Sequence, residues 1–534
     1  MAVRVWRWAM LVAALALLHV SLTFVNVWPT LRVWASGDIS VELAAAVLVL
    51  AGLSAWPGRR SAAWVRILGC LWVVLVIGRY IDVTTRSLYG REVNLYWDLR
   101  HIPKVVGMFV TVATPWQIVG AVVVVVALPF VLYVASRWCF AQVSRAMMAP
   151  WIRGVLGVAG GIVCLLFVTE RTGARTGDVR FTEPVTSAYV REAYEFAYEM
   201  SGAGVAALGE PPSLTSDFGQ VNGADVFILF MESYGAISWN QAAFADALTD
   251  TRADLSAVIQ DTGREVVSGL VESTTFGGES WLAHISLLSG TEVRDDQTNA
   301  RLMAQDRDTL VKAFGRQGYR TVAIMPGHLV AWPEGEFYGF DVVYDHSRLD
   351  YRGPPFGWWG ITDQYALARV DRDEIAPRDG TPRFVFFTTL NTHAPFTPVP
   401  PYQSDWSRVL TGNPYDQAAL DRAWSDWPDW FNLGPSYIKA LRYAYRTVSG
   451  YLRLRSDRDL VMIVIGDHQP PSLVSGEGAS WNVPVHVISS RDNLLNRLRE
   501  HRFVDGLAPM GSLVGRMDEL LQHLLDAFGD GSQQ

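Results

Sequence analysis

The stretch "DVFILFMESYG" (residues 225–235) runs six apolar residues without a break into a carboxylate, Glu232. Continuous rather than alternating hydrophobicity marks a strand buried on both faces, as in a sheet with helices on each side. A carboxylate at the end of such a strand needs a partner, because an isolated buried charge is very costly. A metal ion is one such partner; a capping contact or an ion pair is another, and this stretch alone leaves the choice open. The same texture recurs at "EVVSGLV" (265–271), "RTVAIM" (320–325), "RFVFFTTL" (383–390), "LVMIVI" (460–465) and "VPVHVI" (483–488). Helix-like segments fall between them at 242–261, 280–289, 308–317, 361–374 and 436–455, which predicts an α/β sheet covered on both faces.

Such sheets bind ligands at the carboxyl ends of their strands, and the polar residues fall there. Glu232 follows the first strand, His393 follows "RFVFFTTL" within three residues, and Asp467 with His468 follows "LVMIVIG". Ser280 stands at the mouth of the apolar helix "SWLAHISLLS", where free N–H groups and the helix dipole favour an anion such as phosphate. Each residue also has a plainer reading. "GDHQPP" is also a common turn, His393 in "NTHAPF" is also a surface residue on a turn made by Pro395, and Ser280 is also a helix cap. Together, two carboxylates, one imidazole and one hydroxyl at one sheet edge form the ligand set of a hard or borderline divalent cation. A bound cation would also activate the hydroxyl as a nucleophile, with His393 and His284 placed to bind anionic oxygens or protonate a leaving group.

Upstream, the chain changes character. Its 534 residues are 50% hydrophobic and carry a formal net charge of -8, with a mean hydropathy of +0.15. That is too apolar for a soluble domain alone and gives no hint of a nucleic-acid partner. Nearly uncharged runs at 8–28, 42–57, 64–81, 116–136 and 151–169 predict five membrane spans. The first is a poor signal peptide, since it lacks a small-residue cleavage site and further spans follow. Arg4 and Arg7, then Arg59, Arg60 and Arg66, then Arg137, Arg145 and Arg153 place the N-terminus in the cytoplasm and everything after residue 170 outside. The polar loop 82–115 lies outside on this reading, and His19 lies mid-span. The expected organisation is a transmembrane domain at 1–170, a juxtamembrane linker at 171–220 and an exported domain at 221–534. Cys70, Cys139 and Cys164 all belong to the first of these, so the exported part has no disulfide framework.

The order "ILFMES", "GGESWLAHISLLSG", "NTHAPF", "IGDHQP", "VPVHVIS" resembles the alkaline phosphatase and sulfatase superfamily. With the multispan N-terminus, it is similar to the membrane branch: lipoteichoic acid synthases, phosphoglycerol transferases and phosphoethanolamine transferases of bacterial inner or plasma membranes. The resemblance implies a mixed sheet flanked by helices, with Glu232, Ser280, Asp467 and His468 as metal ligands for Mn2+, Mg2+ or Zn2+. It further implies Ser280 as nucleophile, His393 as a substrate-binding residue, and a head-group pocket lined from "HLVAWPEGEFYGF" and "GWWGITDQ": His328, Trp332, Trp358, Trp359 and Asp363. For these last residues an aromatic cluster packed under a loop is an equal reading. Sulfatases carry Pro and Arg after the nucleophile where this chain has Leu282 and His284, so the signal for formylglycine is absent. That points to direct attack by Ser280 on phosphorus. The cysteine-free exported part favours the phosphoglycerol branch over the disulfide-bearing phosphoethanolamine branch. The implied partners are a membrane phospholipid donor and a glycan or lipid acceptor. A membrane-anchored hydrolase and a non-catalytic sensor are the competing functions.

Two further stretches stand out. Residues 396–435 carry Trp406, Trp424, Trp427 and Trp430 without a clear element, as a lid or membrane-facing flap would. "MDELLQHLLDAF" sets Met517, Leu520, Leu521, Leu524, Leu525 and Phe528 on one face, predicting a docked final helix.

Overall fold

A computed structural model describes residues 2–530 apart from 27–32, 56–60, 90–91, 114, 173–179, 202–207, 209, 330–331, 333–334, 358–359, 378, 430–431, 477, 510 and 512. The chain divides into two compact units, one of residues 1–87 and 91–204, the other of residues 88–90 and 205–534.

The first unit is helical. Its longest members, Ala62–Ser87, Pro115–Ala146 and Pro150–Arg171, are the three described helices long and apolar enough to cross a membrane; Val5–Val20 and Val41–Ala55 are shorter apolar helices. Five spans were expected, and length and composition support three. Val122, Val123, Val124, Val125 and Val126 are all exposed, an apolar surface that suits lipid and not water. Leu11, Ala14, Trp72, Phe140, Val143 and Met147 form the packed interior. The expected outer loop at 82–115 is largely helical: one helix continues to Tyr89 and another spans Leu95–Val112. Among its described charges, Arg86 pairs with Asp82 at 3.1 Å and with Glu92 at 2.9 Å, and Glu92 also pairs with Arg191 at 2.6 Å. His19 sits in the last turn of the helix Ala2–Val20, not mid-span. A small hairpin pairs β1 (Phe24–Asn26) with β2 (Val33–Ala35).

The second unit is built on a nine-stranded sheet. Its strands are β3 (Asp225–Met231), β4 (Glu265–Glu272), β5 (Arg320–Met325), β6 (Val342–Asp345), β7 (Arg383–Thr388), β8 (Leu460–Gly466), β9 (Asn482–Ser489), β10 (Val504–Asp505) and β11 (Leu513–Arg516). They lie in the order β10-β4-β9-β8-β3-β7-β5-β6, with β11 also on β4. The set β8, β3, β7, β5, β6 is parallel. β9 is antiparallel to both β8 and β4, so β4 points the same way as β8. The expected strands are all present, and the sequence reading missed β6, β10 and β11.

The central strand β3 is buried along its whole length. Val226, Ile228 and Phe230 face one core with the helices Ser280–Ser289 and Leu520–Phe528. Phe227, Leu229 and Met231 face the other, with Ala242–Asp261 and Gly434–Leu454. Each such side chain contributes roughly 1.5–3 kcal/mol on burial, which holds the strand ends in fixed positions. The final helix docks through the predicted face, with Met517, Leu520, Leu521, Leu524, Leu525 and Phe528 all buried.

Gly466 closes β8 where its chain passes under the turn after β3. A Cβ there would lie 1.9 Å from the Tyr234 carbonyl oxygen and 3.0 Å from Val483 Cβ. Gly466→Ala should therefore destabilise the unit by about 1–3 kcal/mol, read as a fall in Tm; an unchanged Tm would contradict this packing.

Candidate active site

The register of β3 against β8 sets Met231 opposite Gly466. Glu232 and Asp467 are the next residues on two parallel neighbours, so two carboxylates emerge side by side at one sheet edge. On the other side of β3, Phe230 stands opposite Thr388, and Thr389 Oγ1 accepts the Glu232 N–H at 3.0 Å. Ser233 adopts φ 56°, a left-handed conformation uncommon outside glycine. That turn aims the Ser233 N–H at Asp467 Oδ1 (2.8 Å) while its hydroxyl donates to Glu232 Oε1 (3.0 Å).

Ser280 reaches this edge from β4. The connection Ser273–Glu279 is stitched to the loop after β8: Ser273 Oγ donates to the Asp467 carbonyl, and the Gly277 N–H donates to the Gln469 carbonyl at 3.1 Å. Gly277, with φ 72°, supplies the left-handed turn before the helix Ser280–Ser289 begins. Glu279 is the residue before the first helical turn and makes no side-chain cap. The Ser280 hydroxyl donates to Glu232 Oε2 at 2.8 Å and lies 3.2 Å from His468 Nε2. Those contacts join the hydroxyl to the carboxylate after β3 and the imidazole after β8.

The ligand atoms of Glu232, Asp467 and His468 lie within 4.8 Å of one another, and all three residues are buried. His468 donates Nδ1–H to the Gln469 carbonyl at 2.8 Å, which orients Nε2 inward, 3.3 Å from Glu232 Oε1 and 3.9 Å from Asp467 Oδ1. Fixing one imidazole nitrogen on a carbonyl in this way is how a metal-ligating histidine is usually held. The electrostatics ask for a cation. Burial, then the neighbouring Glu232, pushes Asp467 well above the usual carboxylate range. Burial also works on Glu232, but His468 and then His393 overcome it and hold that carboxyl below its ordinary value. Burial alone would lower His468; Asp467 and Glu232 more than reverse this and pull it up to about 9. The donor set therefore fits a divalent cation: in the metal-free chain, a proton on His468 supplies the positive charge that two buried carboxylates demand.

The remaining predicted residues fall into two groups. His393 and His284 belong with the cluster, since His393 acts on Glu232 and Glu232 acts on His284. His393 donates Nδ1–H to the Ala394 carbonyl at 2.7 Å and borders a small cleft lined by Phe356, Ile361, Leu390, Asn391 and Pro398. His328 acts on His284 and lies 5.0 Å from the Trp332 ring, centroid to centroid. Trp332 itself packs toward Tyr338 at 5.4 Å and is partly buried against the core, which accords with the aromatic-cluster reading.

Asp363 differs from expectation. It is buried, and its carboxylate oxygens accept the N–H groups of Leu390 (2.7 Å) and Asn391 (2.9 Å), while Asn391 Oδ1 accepts the Asp363 N–H (2.7 Å). Asp363 is thus spent on the backbone that leads to His393. Burial pushes it up to about 7 even with those two donors. Trp358, Trp359 and Trp430 lie outside the described residues.

The stretch expected to lack structure holds two short helices, Trp406–Val409 and Gln417–Trp424. Trp406 packs 5.9 Å from Tyr451, Trp424 stacks on Phe356 at 6.1 Å, and Trp427 is 79% exposed. The sequence reading also missed Ser233, Thr389 and Asn391, which position the cluster. The only sequence signal for them is polarity directly after the strands, in "MES" and "TTLN".

Residues 275–494 match the Sulfatase family model. No curated protein sequence matches the chain. Among solved structures, the chain is similar to the lipooligosaccharide phosphoethanolamine transferase A of Neisseria meningitidis, with 13% identity over 92% of this chain and 88% of that one and a TM-score of 0.48. It is also similar to the lipoteichoic acid synthase LtaP of Listeria monocytogenes (14% identity, 52% and 68% covered, TM-score 0.38). A third is the phosphoglycerol transferase GacH of Streptococcus pyogenes (12% identity, 64% and 91% covered, TM-score 0.35).

Two outcomes follow from this geometry. His468 is raised from 6.5 to about 9, so in the metal-free protein its stabilising contribution is complete below pH 6.5 and disappears as pH rises through 9. A cation must displace that proton, so Mn2+ affinity measured by calorimetry should climb over the same interval, and Asp467→Asn should abolish it; a pH-independent affinity would contradict the assignment. Asp363→Asn leaves one of two buried amides facing an NH2 group and should cost about 1–3 kcal/mol in thermal unfolding.

Proposed function

Taking as premise that the chain carries a Sulfatase-family domain, we propose that it transfers the phosphorylated head group of a membrane phospholipid, through a phosphoserine at Ser280, to a hydroxyl of a cell-envelope glycan or lipid. The observation that carries this reading is the Ser280 hydroxyl, held at a helix mouth within hydrogen-bond reach of Glu232 and His468. Glu232, Asp467, His468 and Ser280 Oγ would hold a divalent cation, Mn2+, Mg2+ or Zn2+, whose Lewis acidity lowers the pKa of the hydroxyl and offsets phosphoryl charge.

Ser280 Oγ forms a bond to phosphorus as its proton passes to Glu232 Oε2, its acceptor at 2.8 Å. The bond from phosphorus to the diacylglycerol oxygen breaks, and His393 delivers a proton to that oxygen from Nε2, since Nδ1 is engaged by the Ala394 carbonyl. In the second half, the acceptor hydroxyl gives its proton to His393 Nε2 and bonds to phosphorus. The serine ester then breaks, and Ser280 recovers its proton from Glu232. Asp363 serves by pinning Leu390 and Asn391 ahead of His393.

Phosphorus rather than sulfur is favoured because Leu282 and His284 replace the Pro and Arg of the formylglycine signal. Phosphoglycerol is favoured over phosphoethanolamine because residues 205–534 contain no cysteine. The helices long and apolar enough to cross a membrane would keep the site near its lipid donor, on the outer side if the arginine distribution sets the orientation.

The full chain in detergent, incubated with labelled phosphatidylglycerol or phosphatidylethanolamine, should yield a head-group adduct on Ser280 by mass spectrometry. Absence of an adduct from both lipids overturns transfer. Ser280→Ala should lower turnover by at least ~10³-fold with Mn2+ still bound, and appreciable residual transfer would overturn the nucleophile.

A further inference from the structure

Ser233 orients both carboxylates of the cluster: its N–H donates to Asp467 Oδ1 and its hydroxyl to Glu232 Oε1. It does so with a left-handed backbone, φ 56°, which brings Cβ close to the following carbonyl and which serine seldom holds unaided. A right-handed or extended backbone at this residue would aim both donors elsewhere. Contacts from outside the turn must therefore hold it. The side chain that reaches it is Tyr437, near the start of the helix Gly434–Leu454 and fully buried. Its hydroxyl donates to the Ser233 carbonyl at 2.9 Å and accepts the Gly235 N–H at 3.4 Å, so it grips the turn at two points. The Gly235 N–H also donates to the Ser233 carbonyl at 3.1 Å, and the three groups close on one another. The Tyr437 ring meets Phe244 at 5.7 Å and Phe396 at 5.1 Å, centroid to centroid. Phe396 belongs to the turn that carries His393, whose carbonyl accepts the Phe396 N–H at 2.8 Å.

We propose that Tyr437 is a positioning residue for the cation site: its hydroxyl clamps Ser233 in the left-handed conformation and, through Ser233, presets Glu232 and Asp467 for a divalent cation. This rests on the cation reading of Glu232, Asp467 and His468 and is independent of the transfer chemistry at Ser280. A tyrosine serving only the core could spend its hydroxyl on any buried backbone group. This one places both hydrogen bonds on the single turn that aims the carboxylates. Glycine at 233 would take the left-handed angle without a clamp, because it has no Cβ, but it would bring no hydroxyl to Glu232. Serine supplies the hydroxyl, and Tyr437 offsets the conformational penalty that comes with it. Outer contacts of this kind, which touch no ion themselves, set how well the ligands are arranged to receive one.

The test is the calorimetric Mn2+ affinity of the full chain in detergent, with thermal unfolding recorded for each variant. Tyr437→Phe keeps the ring and removes the clamp, and should weaken Mn2+ binding by ~10-fold or more. The loss should recur in a Ser233→Ala chain, where the left-handed residue still carries a Cβ. In a Ser233→Gly chain, which takes that angle unaided, Tyr437→Phe should change Mn2+ affinity by no more than ~2-fold. A tyrosine with a purely structural role would lower Tm in every background and leave Mn2+ affinity unmoved, and that result overturns the inference. Equal losses of affinity in the Ala and Gly chains overturn it as well. If Tyr437→Phe does not fold, the Ser233→Gly chain with and without Tyr437→Phe decides: matched Mn2+ affinities support the clamp, and a ~10-fold gap overturns it. A wild type that binds no Mn2+ overturns the cation reading, whereas Mn2+ binding that Tyr437→Phe leaves unchanged overturns this inference alone.

Discussion

The site depends on one alignment of backbone. Because β3 and β8 are parallel neighbours with Met231 opposite Gly466, the residues that follow, Glu232 and Asp467, leave the sheet together. Two carboxylates in one buried space repel each other and lose their water, and neither cost is recovered by apolar packing. The core on both faces of β3 is what keeps them there. What relieves the cost is local: the amides of Ser233 and His468 on Asp467 Oδ1, the Ser233 and Ser280 hydroxyls on Glu232, and an imidazole whose second nitrogen is tied to a carbonyl. The arrangement is short of positive charge, and a divalent cation held there would relieve that deficit.

Around this cluster the chain spends conformational freedom. Ser233, Gly277 and Glu279 all take left-handed backbone angles at the rim of the sheet. Strain of this kind persists only where surrounding structure dictates it. The loop after β8 and the loop after β4 fasten to each other through Ser273 and Gly277, which ties the approach to Ser280 to the backbone that carries Asp467. The turn that leads to His393 is fixed through the exchange of hydrogen bonds between Asp363 and residues 390–391. That turn also meets the end of β3, because Thr389 Oγ1 accepts the Glu232 N–H.

Much of this was legible in the sequence, for physical reasons that also explain what was not. Strands such as "VFILFM" and "LVMIVI" are hydrophobic throughout because both faces are covered, and their short length separates them from a buried helix. Ser280–Ser289 was legible to the residue because a glycine turn precedes it and Gly290 ends it. β6, β10 and β11 have four, two and four residues and are strands only by virtue of their neighbours, which local pattern cannot report. Charge misled at 82–115, where most of the segment is helical and Arg86 pairs with Asp82 one turn before it and with Glu92. Asp363 showed the limit at the site itself: the resemblance implied that it lines a pocket, and only the fold reveals that backbone amides occupy it.

All three cysteines lie in the first unit, so residues 205–534 reach their fold without any thiol chemistry. Their stability comes from two apolar cores rather than from cross-links. The redox poise of the surrounding compartment consequently has no grip on this unit: it assembles equally in reducing and oxidising surroundings, needs no disulfide isomerase, and offers oxidants no sulfur beyond its methionines.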